Sequence, residues 1–194
     1  MVVTASLFLG SFCTTPALAH QPGVSLGEIR FELDAIEWDV WISYDDWTRA
    51  FFLQGNMPMI RSETELIAAR PEIERALIEM LSIENSGQAG RGTAQDTRQS
   101  IRQEHPFAET RLRFRCGGPL GALTFRAPLA RAFLPQYRMF VTLHGVSGTS
   151  TLLFGPGQEE ITVKDIGSKI AVWPQVPKFI RLGIEHIFTG YDHV

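Results

Sequence analysis

The stretch IRFELDAIEWDVWIS, residues 29–43, sets the first constraint on what this chain can fold into. Ile29, Phe31 and Leu33 alternate with polar residues, and Ile36, Trp38, Val40 and Ile42 do the same around Glu37 and Asp39. Side chains along a strand point to opposite faces in turn, so a period of two means strands with one buried face. Two strands are predicted between Ser25 and Ser43, paired as a hairpin or a bent pair. The alternation returns over residues 111–116, 122–127, 137–144 and 149–154. Gly117, Gly118 and Pro119, then Gly145, then Gly155, Pro156 and Gly157 supply turn residues between these runs. Regularly spaced short strands of this kind predict a mainly β fold, an antiparallel, Ig-like β-sandwich.

One segment breaks the pattern. After Tyr44, Asp45, Asp46 and Trp47 end the second alternating run, Ser62 to Glu65 reads as a helix start, with a serine positioned to cap and a glutamate three residues on. Leu66, Ile67, Ile73, Leu77, Ile78 and Leu81 follow, mostly at helical spacing, so one amphipathic helix is expected over 62–81. Pro71 should start or kink its regular part. Residues 85–103 are polar and glycine-rich, which predicts a mobile loop or a short polar helix.

The ends of the chain place it in a compartment. MVVTASLFLGSFCTTPALA has an apolar core, a break at Pro16 and a small-x-small ending at Ala17 and Ala19, as expected of an export signal cleaved before His20. Cys13 allows a lipoprotein alternative, but Phe12 stands where such a site wants a small residue. With the signal removed, Cys116 is the sole cysteine left, so no internal disulfide is available and the fold must rest on core burial. The chain is 44% apolar and 20% charged with a net charge of −3, a balance that does not suit a nucleic-acid partner.

Several residues could carry chemistry within the β-rich part. Arg111, Arg113 and Arg115 share one strand face and could bind an anion, although a solvated face produces the same stripe. Cys116 continues the face of Leu112 and Phe114, which favours a buried structural thiol over a ligand or nucleophile. Ser147 and Ser150 in GVSGTS loosely resemble a hydrolase elbow without its strand-to-helix setting. His105 and His144 fall at turns, and the reading is of a protein that is not an enzyme. His20, once it is the first residue, could chelate a late transition metal through its amine and imidazole.

The final segment, RLGIEHIFTGYDHV, puts ionisable groups inside an apolar run. On a helix His186 and His193 lie two turns apart on one face, with Glu185 and Asp192 offset from them by about 100°. Ionisable residues at the start of a membrane helix are costly unless they face a protein interior or an ion path. Imidazole with carboxylate suits a divalent transition metal. Trp173, Pro174, Gln175, Val176 and Pro177 form a stiff break ahead of this run, and Lys178 and Arg181 mark its water side. An amphipathic helix packed on the sandwich with solvated histidines is the competing reading.

GIEHIFTGYDH, with its HxxxxxDH core at His186, Asp192 and His193, resembles the opening of the first membrane helix in the HupE/UreJ group. The likeness extends more loosely to an exported region starting at Ala19 and His20 and to LTFRAPLARAFLPQYRMFVTL, residues 123–143. Members of that group are associated with nickel or cobalt uptake and with metal supply to hydrogenase or urease. The resemblance implies a longer subgroup with an exported domain, in the bacterial inner membrane, with that domain in the periplasm or outside the cell. It implies a signal peptide over 1–19, an extracytoplasmic β-sandwich over 20–172, a linker over 173–178 and the truncated start of the first transmembrane helix over 179–194. Metal contacts are expected from His186, Asp192 and His193, with Glu185 and His20 as further candidates. A nickel or cobalt ion would be cargo, with no tightly bound cofactor; the membrane and a periplasmic protein are the expected partners. The alternatives are a secreted metal-binding module centred on His20 and a metal-free interaction domain.

Overall fold

The computed structural model describes residues 23–32, 35–53, 55, 59–102, 104–145 and 148–164. Within them the chain is mainly β, with two helices, two sheets and no barrel. In chain order the strands are β1 (Val24–Phe31), β2 (Ile36–Ser43), β3 (Ser82–Asn85), β4 (Gln88–Ala89), β5 (Arg91–Arg102), β6 (His105–Arg115), β7 (Leu123–Arg126), β8 (Arg138–Gly145), β9 (Gly148–Phe154) and β10 (Glu160–Val163). The helices are α1 (Tyr44–Leu53) and α2 (Glu63–Met80).

A six-stranded sheet runs in the order β5-β6-β2-β1-β8-β9, and a four-stranded sheet in the order β10-β7-β3-β4. The predicted hairpin is present as the antiparallel pair β1 and β2, with Ile29 opposite Trp38 and Phe31 opposite Ile36. One pairing departs from the expected antiparallel pattern. β1 lies parallel to β8, with Leu26 beside Phe140 and Glu28 beside Thr142. Such a pair joins strands far apart in sequence, and local periodicity carries no sign of its direction.

The core forms where the inner faces meet. Trp38 is fully buried and touches Phe125 of the four-stranded sheet edge-on, with ring centroids 6.1 Å apart, and Phe154 at 5.9 Å. Such tilted aromatic contacts add modestly to the area they bury. Gly27 makes room for this indole: a Cβ there would sit 2.9 Å from Trp38 Nε1 and 3.1 Å from Val141 Cγ2.

Both helices pack into the same core. α2 begins as the sequence predicts. Ser62 Oγ accepts from the Glu65 backbone N–H, and the Glu65 carboxylate accepts from the Arg61 N–H at 2.7 Å. Leu66, Ala69, Ile73 and Leu77 are buried at helical spacing. Pro71 lies inside the helix, so of the two expectations, a start or a kink at that point, the start is corrected. The first helix, α1, was not expected. Its signal was the spacing of Trp47, Ala50 and Phe51, all buried, behind a local cap in which Ser43 Oγ accepts from the Asp46 N–H at 3.1 Å.

The polar stretch expected to be a mobile loop or a short polar helix instead forms strands β4 and β5. Ser86 and Gly87, both at positive φ, turn the chain between β3 and β4, as a two-residue hairpin loop requires. β5 then pairs with β6 along its length, with a bulge between Ala94 and Asp96. β5 has few apolar residues of its own because it is an edge strand, and its order comes from its neighbour β6 and from α2.

Candidate functional site

The residues singled out as metal contacts, Glu185, His186, Asp192 and His193, lie outside the described residues, as does His20. The segments read as a signal peptide, a linker and the start of a membrane helix lie there too. Among the described residues, no cluster of three or more His, Cys, Asp or Glu side chains could hold a metal ion. Also among them, no helix is long and apolar enough to cross a membrane.

The strongest concentration of charge is on the outward face of the six-stranded sheet. Register places Glu28, Asp39 and Arg111 side by side on β1, β2 and β6, and Arg30, Glu37 and Arg113 in the next row. Asp39 is almost fully buried. Arg111 Nε donates to its Oδ1 at 2.8 Å and Arg30 Nη1 to its Oδ2 at 2.5 Å. Burial pushes the Asp39 carboxyl up, but the hydrogen bonds and charges of Arg111 and Arg30 outweigh it and hold the group below its ordinary value. Arg30 also binds Glu28 at 2.6 Å, and His144 Nε2 stands 3.5 Å from the same carboxylate. Arg113 reaches Glu32 at 3.0 Å.

The arginine stripe therefore shares one face as expected, but Arg111 and Arg113 are committed to carboxylates. An anion would have to compete with partners already in place. An open cleft beside β7 and β10 follows the same rule. Its Arg126 is bound by Glu84 and by Glu160, and its Arg131 lies 3.7 Å from Glu159.

A second polar knot ties the start of β1 to α1. Asp46, almost fully buried, accepts from the Gly23 N–H at 3.2 Å and from Ser43 Oγ at 2.9 Å. Tyr137 OH is 3.5 Å from Asp46 Oδ2, the oxygen that Ser43 also reaches, and burial and the Asp46 charge raise the Tyr137 pKa well above the ordinary value. This knot escaped the sequence reading because Asp46 and Tyr137 are 91 positions apart.

The remaining candidates separate from one another. Ser150 stands opposite Leu143, whereas His144 stands opposite Thr149, so alternation sends Ser150 and His144 to opposite faces of the sheet. Ser147 lies outside the described residues. His105 begins β6, paired with Arg102 at the end of β5. Cys116 is half-buried against the core, and burial pushes its thiol pKa up, as suits a structural cysteine.

Neither protein-family models nor curated proteins give a match to this chain.

Proposed function

We propose that this chain is the exported N-terminal part of a HupE/UreJ-like integral membrane protein that moves a transition-metal ion of the nickel or cobalt type. The observation that carries the reading is the run of His186, Asp192 and His193, with Glu185 alongside, in an otherwise apolar segment behind a proline-rich break. Imidazole and carboxylate together suit such a cation, and a segment of this composition pays for burying them only if they serve an ion path. In the described part, Asp39, Glu28, Glu84 and Glu160 are engaged by arginines.

In this reading the two sheets are the layers of an Ig-like β-sandwich facing the periplasm or the outside of the cell. The Trp38 to Phe125 contact between the sheets supports that layering. Residues 179–194 begin the first membrane span as a helix. The test is cellular accumulation of nickel and cobalt by the full-length protein and by variants at His186, Asp192 and His193.

The second reading is a metal chelate at His20, formed by its amine and imidazole once it is the first residue. Metal titration of correctly processed protein, with and without His20→Ala, tests it; retained stoichiometry in the variant removes the reading.

A further inference from the structure

Strand β5 is an edge of the six-stranded sheet and pairs with β6 alone. Its regular part runs from the bulge between Ala94 and Asp96 to Arg102, where the hairpin turns. Arg102 and His105 close that hairpin as a bonded pair, and bonded and non-bonded pairs alternate along an antiparallel ladder. Arg98 and Ser100 therefore bond β6 as well, whereas Thr97, Gln99 and Ile101 turn their N–H and C=O groups to the open edge. Pro106, opposite Ile101, has no N–H to give, which fits this phase. A row of such groups is a template for an added strand. Helix α2 reaches the row at Thr97. Arg70 Nη2 donates to the Thr97 carbonyl at 2.5 Å and stands 3.8 Å from Asp96, and Glu74 accepts from Thr97 Oγ1 at 2.9 Å. The surface around this contact is apolar: Ile67 and Ile78, on the same stripe of α2 as Arg70 and Glu74, are 58% and 37% exposed, and Ile101 is 61% exposed.

We propose that Arg70 locks this edge: with its hydrogen bond in place the chain stays single, and once it lets go β5 pairs antiparallel with the β5 of a second copy, Gln99 opposite Gln99. The register follows from the strand itself. The open run from Asp96 to Arg102 is centred on Gln99, so two copies that pair the whole run meet there, with Thr97 opposite Ile101 and Asp96 opposite Arg102. Thr97, Gln99 and Ile101 then form the bonded pairs, as their edge-facing groups require. Asp96 and Arg102 fall at a non-bonded pair, where side chains come closest, and their charges are opposite. In the single chain the Asp96 carboxylate lies 3.8 Å from Arg70, and Arg102 stacks on the Trp41 ring at 4.0 Å with its Nε unpartnered. The two states compete for one acceptor, because the Thr97 carbonyl that Arg70 holds is the one the Ile101 N–H of a second copy would take. The lock stands apart from the transport reading, and its failure leaves that reading untouched.

The test is disulfide trapping in the full chain, with Cys13 and Cys116 replaced by serine and Q99C introduced. Bonded antiparallel partners bring their Cα atoms to about 5.5 Å, within the reach of a disulfide. Mild oxidation of this protein is compared with and without Arg70→Met, which keeps the length of the stem and removes the donors. Covalent dimer read on a non-reducing gel should rise roughly tenfold in the variant, the weight of one hydrogen bond from a charged donor. Q136C replaces Q99C as the control for chance collision, since Gln136 is exposed and lies outside both sheets. Arg70→Gln takes the place of Arg70→Met should the latter lower the yield of folded protein. Equal dimer with and without Arg70 would show that it locks nothing. A folded variant without dimer, or with as much dimer through position 136, would show that β5 does not take a second copy; each of these results overturns the proposal.

Discussion

Asp39 and Arg111 meet across β2 and β6 at 2.8 Å on the outward face of the sheet, with the Asp39 side chain 2% exposed and the arginine 42% exposed. A carboxylate so enclosed is held by its cations, and removing it leaves Arg30 and Arg111 facing each other. Asp39→Ala is expected to cost about 2 kcal/mol, below the range for fully buried pairs because both arginines keep contact with water. Urea denaturation of the variant should show a lower midpoint with an unchanged slope.

The same pair sets a pH dependence. The folded Asp39 pKa is depressed below its ordinary value of 3.8, so its contribution is present above that value and is lost as pH falls through the folded pKa. Stability measured from about pH 6 down to about pH 2.5 should fall for the wild type. Asp39→Asn removes this titration, and its curve should be shallower over the acid end. Parallel curves would mean that other carboxylates set the acid limb.

The cap of α2 is local and exposed. Ser62→Ala removes the acceptor for the Glu65 N–H and a partner of the Glu65 carboxylate. A loss of about 1 kcal/mol is expected by thermal or chemical denaturation, with Ser62→Thr restoring most of it.

Trp38 joins the two sheets through its contact with Phe125 and packs on Phe114 and Phe154 of its own sheet. Trp38→Ala opens a cavity that the surrounding strands can close only in part, and should cost roughly 3–5 kcal/mol. A fall of less than about 1 kcal/mol in chemical denaturation would contradict its place at the centre of the core.

Much of this architecture is readable from local pattern. Alternation around Trp38 and around Leu112 shows which side chains enter the core, and Ser62 with Glu65 marks where α2 begins. The misses have physical causes. β5 is polar because one of its edges and much of its surface meet solvent, so its conformation is imposed by β6. α1 was masked by Asp45 and Asp46, which look like a turn but serve the first turn of a helix. Asp39 reads as an outward polar residue, and its burial depends on arginines from two other strands. The parallel pairing of β1 with β8 brings together residues more than a hundred positions apart, beyond the reach of any short window. The proposed metal contacts are legible as a spacing of residue types, from a segment outside the described residues.

The central claim is that His186, Asp192 and His193 serve the passage of a metal ion. Its most direct test is the accumulation of nickel and cobalt in cells expressing the full-length protein, set against His186→Ala, Asp192→Ala and His193→Ala at matched levels in the membrane. Loss of accumulation in each variant, with normal insertion, is the predicted result. Accumulation equal to that of the wild type in all three would contradict the account.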